Sequence, residues 1–86
     1  MGEILITFVK QSTAYKLMRI ADKSGIYAKM VQTPKELSQG GCSYGVVMRR
    51  SDMSRAVKLC REYSIEYRKI FALFTDLNGK KVYSQI

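Results

Sequence analysis

Two cysteines and no histidine set the limits of the bond chemistry this chain can perform. Cys42 and Cys60 stand eighteen residues apart, and no Cys-x-x-Cys pair occurs. That rules out a disulfide framework and the usual zinc ligand sets, so no metal site is expected. Without imidazole, a Ser-His or Cys-His catalytic pair is also excluded, which leaves a thiol, a carboxylate or an amine. Cys42 lies in the run Gly40-Gly41-Cys42-Ser43-Tyr44-Gly45, where backbone N–H groups in a glycine-rich turn can point at a sulfur or an anion. Lys35 precedes it, and Arg49 and Arg50 follow. A thiol among such charges tends toward the thiolate, the nucleophilic form. The competing reading, in which Cys42 merely fills the turn at a strand entrance, stands beside it on the residues alone. Cys60 falls on an apolar helical stripe with Val57 and reads as a small core residue.

Carboxylates carry less signal. Asp22, Glu36 and Asp52 share no evident face and read as solvated or helix-end charges. Gly40-Gly41 is too short for a phosphate loop, and no cofactor motif is present.

The loop from Thr33 to Gly45 must be positioned by the elements around it. Ile4 to Val9 is apolar on both faces, as in the central strand of a sheet. Ser12 is expected to cap a helix whose stripe is Ala14, Leu17, Met18 and Ala21, with Gly25 as its left-handed C-cap. Ile26 to Gln32 and Gly45 to Arg50 read as strands on either side of the loop. Ser51 is expected to cap a second helix with the stripe Met53, Ala56, Val57, Cys60 and Ser64, Asp52 lying in its first turn. Tyr67 to Phe74 reads as a fourth strand. Asn78-Gly79 is a type I′ hairpin signal that returns Lys80 to Ile86 as a fifth.

The order β-α-β-β-α-β with a terminal β implies an α+β class: a ferredoxin-like sandwich with an additional C-terminal strand. Strand order 4-1-3-2 is expected, the fifth strand extending the strand-four edge and the helices covering one face. Residues 1–86 read as a single domain, without linker or low-complexity tract. The apolar fraction of 47% suits a globular chain. No apolar run approaches the roughly 20 residues of a membrane span, and the start resembles a strand rather than a signal peptide, so a cytoplasmic, non-membrane protein is expected. A net charge of +8 favours anionic partners.

Thr33-Pro34-Lys35-Glu36-Leu37-Ser38, followed closely by Cys42, resembles the signature of a family of small bacterial proteins described as selenium/sulfur-carrier-like. The family pattern is Thr-Pro-Arg/Lys-x-Leu/Ile-Ser, a few small residues, then Cys-Gly and an apolar strand ending in a basic residue. The resemblance runs from about Ile4 to Tyr67, most of a domain of ordinary size. Here the spacing from Pro34 to Cys42 is a residue longer, and Ser43 and Tyr44 separate Cys42 from Gly45. The resemblance implies a carrier rather than a catalyst. Cys42 would hold sulfur or selenium as a persulfide or selenosulfide, and donor and acceptor proteins would be its partners. Lys35 would balance the anion, while Thr33, Pro34, Ser38, Gly40, Gly41 and Gly45 would shape the loop.

Two other classes compete. One is a basic nucleic-acid-binding module of the RNA-recognition type, whose third-strand pattern is met only by Tyr44, Gly45 and Val47; it is the less favoured. The other is a non-catalytic interaction domain whose open sheet face pairs with another copy, with Tyr15, Tyr27 and Tyr44 as contact residues.

Overall fold

The computed structural model describes residues 2–37 and 43–86. Its elements are β1 (Glu3–Phe8), α1 (Gln11–Lys23), β2 (Ala28–Gln32), β3 (Tyr44–Arg49), α2 (Met53–Glu62), β4 (Ile70–Thr75) and β5 (Lys81–Gln85). Short 3-10 turns occupy Lys35–Leu37 and Arg50–Asp52. The strands form one antiparallel sheet ordered β2-β3-β1-β4-β5, with β1 at its centre. This is the expected ferredoxin-like arrangement, the fifth strand on the β4 edge.

Period-two alternation sorts the side chains between two faces. Ile4 pairs with Met48 and Ala72, and Ile6 with Val46 and Ile70, so these residues share one face. Ala14, Leu17 and Ala21 of α1 and Ala56 and Cys60 of α2 close over that face, forming the core with Ile4, Ile6 and Phe8. Fully burying each large side chain there stabilises the fold by about 1.5–3 kcal/mol. Leu5, Thr7, Val47, Phe71 and Leu73 alternate onto the opposite face, which neither helix covers.

Topology makes the two helices antiparallel, and each reaches the other's C-terminal end. Arg55 on α2 donates to the Ser24 carbonyl at 2.8 Å, while Lys16 on α1 donates to that of Tyr63 at 3.3 Å. Cations at helix C-termini meet the orphan carbonyls and the negative end of the dipole. Arg55 also lies 3.6 Å from Asp52.

Several local features differ from the expected ones. Neither Ser12 nor Ser51 caps a helix. α1 begins at Gln11 with Lys10 at the N-cap, and Ser51 lies inside the turn that leads to an Asp52 N-cap. Ser64 is not on the α2 stripe: the helix ends at Glu62, and Ser64 takes the left-handed conformation with φ 54°. The fourth strand starts at Ile70 rather than Tyr67, because Thr7 engages two successive residues. Its N–H donates to the Lys69 carbonyl at 2.9 Å, and its carbonyl accepts from Arg68 N–H at 2.8 Å. Two residues opposing one is the pattern of a bulge. The Asn78-Gly79 hairpin is not type I′, since only Gly79 has positive φ. Instead the Asp76 carboxylate accepts from the Asn78 and Lys80 N–H groups, both at 2.9 Å, and Gly79 N–H closes onto the Asp76 carbonyl at 3.0 Å. Asp76 thus sets the turn, as aspartate does when its side chain binds backbone nearby.

Candidate functional site

β2 and β3 are the two arms that carry the Thr33–Gly45 loop. Their register pairs Val31 with Gly45 and Gln32 with Tyr44, and Thr33 N–H extends the ladder to the Ser43 carbonyl at 3.0 Å. The outgoing chain turns at once. Pro34, with its fixed φ, starts a turn closed by Leu37 N–H on the Pro34 carbonyl at 2.9 Å. Both roots of the loop are therefore held by backbone bonds, and Cys42 is the sequence neighbour of the second root. Ser38, Gly40, Gly41 and Cys42 themselves lie outside the described residues.

At these roots the sheet is unusually close. A Cβ on Gly45 would stand 2.6 Å from Leu5 Cδ1 and 3.3 Å from Thr33 Oγ1. Glycine is required here by this approach, which brings a β1 side chain and the first loop residue over the start of β3. Thr33 is 7% exposed, and its hydroxyl finds no hydrogen-bond partner among the described residues. A buried hydroxyl without a partner costs about 1–3 kcal/mol. Of the other expected loop residues, Pro34 is half-buried and Lys35 exposed.

The second sulfur is placed very differently. Cys60 is 3% exposed in the core between α2 and the sheet, and burial pushes its thiol up to about 11. Burial raises a thiol's pKa because the thiolate loses its hydration. At neutral pH Cys60 is a protonated core residue, as its stripe position implied.

Gln32 and Pro34 are also among the residues lining a groove of about 680 Å³ on the uncovered sheet face. Nothing in the sequence pattern marked this groove, since its residues come from all five strands and the turns beside them. Tyr44 lies on the other face, opposite Phe8 and packed against the core. It is thus unavailable to stack a base or to meet a partner across the open face. Tyr15 and Tyr27 are exposed off that face, Tyr15 with the Arg19 guanidinium 5.9 Å from its ring centroid.

No helix is long and apolar enough to cross a membrane among the described residues. Among protein families, the one described as "Putative Se/S carrier protein-like" matches residues 3–72. That span includes both helices, β1 to β3 and the whole Thr33–Gly45 loop. No curated protein and no solved structure matches the chain.

Proposed function

This chain belongs to the Se/S carrier-like family, and from that premise we propose that it holds sulfur or selenium on the Cys42 thiol and passes it to a partner protein. In the loading step the Cys42 thiolate attacks the terminal sulfur of a donor's persulfide. A new S–S bond forms at Cys42, the donor's own S–S bond breaks, and the electron pair leaves on the donor thiolate. The exchange consumes no external oxidant or reductant. Unloading is the same displacement with an acceptor nucleophile, Cys42 departing as thiolate. A terminal selenium is transferred in the same way.

The observation that carries this reading is the burial of Cys60. A carrier thiol must meet another protein's persulfide as a thiolate, and Cys60, enclosed and with its thiol near 11, does neither. Of the two cysteines in the chain, that leaves Cys42. The frame around it fits the role. Pro34, Thr33 and Gly45 fix the two ends of the loop, Ser38, Gly40 and Gly41 lie within it, and Lys35 brings a positive charge to the same segment. Positive charge near a thiol favours its ionised form.

Incubation with a persulfide donor labelled in its terminal sulfur tests the proposal. The parent and Cys60→Ser proteins take up label, and Cys42→Ser does not. Equal uptake by the two variants, or no uptake by the parent, contradicts it.

A further inference from the structure

We propose that the uncovered face of the sheet is a docking groove for an acidic protein segment bearing a stripe of aliphatic side chains. The inference names the kind of partner served by the Cys42 loop, and to that extent it rests on the carrier reading. The groove is about 680 Å³, within the range of binding clefts, and its apolar lining is Leu5, Val31, Val47 and Leu73, with Phe74 and Tyr83 on the β4–β5 side. Leu5 is 1% exposed, so this part of the floor is packed. Arg50 and Lys81 stand at the rim against a single lining carboxylate, Glu3. Lys29 and Arg49 alternate onto the same face of β2 and β3.

Charge decides between occupants. A second copy would bring a net +8 against +8, which opposes pairing across a cationic face. A single-stranded nucleic acid would match the charge, but it needs aromatic platforms for its bases. Phe71 on this face is buried and Tyr44 points to the helices. Tyr83, half-buried opposite Leu73, and Phe74 at the end of β4 line the groove on its β4–β5 side only, and the rest of the lining offers no row of platforms for successive bases. An acidic segment with Leu or Ile on one side satisfies both the rim and the floor. Gln32 and Pro34, among the residues lining the groove, are also where the chain enters the Thr33–Gly45 loop.

The test uses a labelled helical peptide of about 18 residues, with Leu at i, i+3, i+4 and i+7 and Glu at the other positions. It is titrated by fluorescence anisotropy against the parent, Cys42→Ser, Val47→Glu and Lys81→Glu proteins. A peptide with Lys in place of Glu and a single-stranded oligo-uridine serve as comparators. The parent and Cys42→Ser proteins bind the Glu peptide equally, added salt weakens the complex, and the Lys peptide does not bind. Val47→Glu abolishes binding. Lys81→Glu, an exposed change that leaves the floor intact, weakens it about threefold or more. Absence of binding, or binding indifferent to both substitutions, overturns the proposal. So does oligo-uridine binding that Val47→Glu removes, which makes the face a nucleic-acid surface. A dimer seen by light scattering and dissolved by Val47→Glu overturns it in favour of a second copy. Peptide binding by a parent that takes up no sulfur would retain the groove and remove the carrier reading; uptake without peptide binding would do the reverse.

Discussion

Gly45 shows how one missing atom shapes the site. Replacing Gly45 by Ala puts a methyl group 2.6 Å from a Leu5 side chain that is itself buried, so one of them must move. We expect Gly45→Ala to lower unfolding free energy by about 1–3 kcal/mol in a denaturant titration, as overpacking does elsewhere. A loss below about half a kcal/mol would mean that Leu5 simply swings aside. Cys60 yields a pH prediction. Its thiol is near 11 in the fold against 9.0 without burial, so between those values the unfolded chain loses a proton that the folded chain keeps. Stability therefore falls as pH rises from 9.0 to about 11, and Cys60→Ala lessens that slope relative to the parent. Parallel curves for the two proteins would refute the shift. The burial of Cys60 was legible from helical spacing, because its neighbours along the stripe are local. The contact of Leu5 and Thr33 with Gly45 was not, since it joins three chain segments that only the sheet register brings together.

Both helices end in the same way, with different residues. Gly25 sits at φ 76°, and Ile26 N–H reaches back to the Ala21 carbonyl at 2.8 Å. At the end of α2, Ile65 N–H reaches the Cys60 carbonyl at 2.8 Å, but the left-handed position is Ser64. A side chain in that conformation costs about 1–2 kcal/mol, which glycine avoids. Ser64→Gly is expected to raise stability by about 1 kcal/mol, or roughly 4–8 °C in melting temperature. An unchanged or lower melting temperature would show that serine is not strained there. Gly25 was readable as a stop signal because glycine is the usual residue at such a cap; serine carries no comparable signal, and the position of Ser64 continues the helical stripe. The caps and the hairpin also depart from what their residues suggest. Ser12, Ser51 and Asn78-Gly79 all have the chemistry for their expected roles, yet α1 and α2 start from Lys10 and Asp52 with no side-chain capping bond, and the hairpin is set by the Asp76 carboxylate. Only at the hairpin does a neighbouring group, Asp76, outcompete the local preference.

Across the whole molecule, the element order β-α-β-β-α-β and the two helical stripes, which must cover one face of the sheet, were enough to order the strands. The groove on the other face was hidden, since no single strand contains more than a few of its residues. Charge bears on that face as well: a net +8 favours partners of opposite charge. The account depends on Cys42 being the open, ionisable sulfur and Cys60 the closed one. Alkylation with iodoacetamide across a pH series, with the two cysteines followed separately by peptide mass, tests this most directly. The account predicts that Cys42 reacts with a midpoint below the 9.0 of an unburied thiol, while Cys60 stays unmodified until the fold is opened. A Cys42 that reacts no faster than Cys60, and only at strongly alkaline pH, would contradict it.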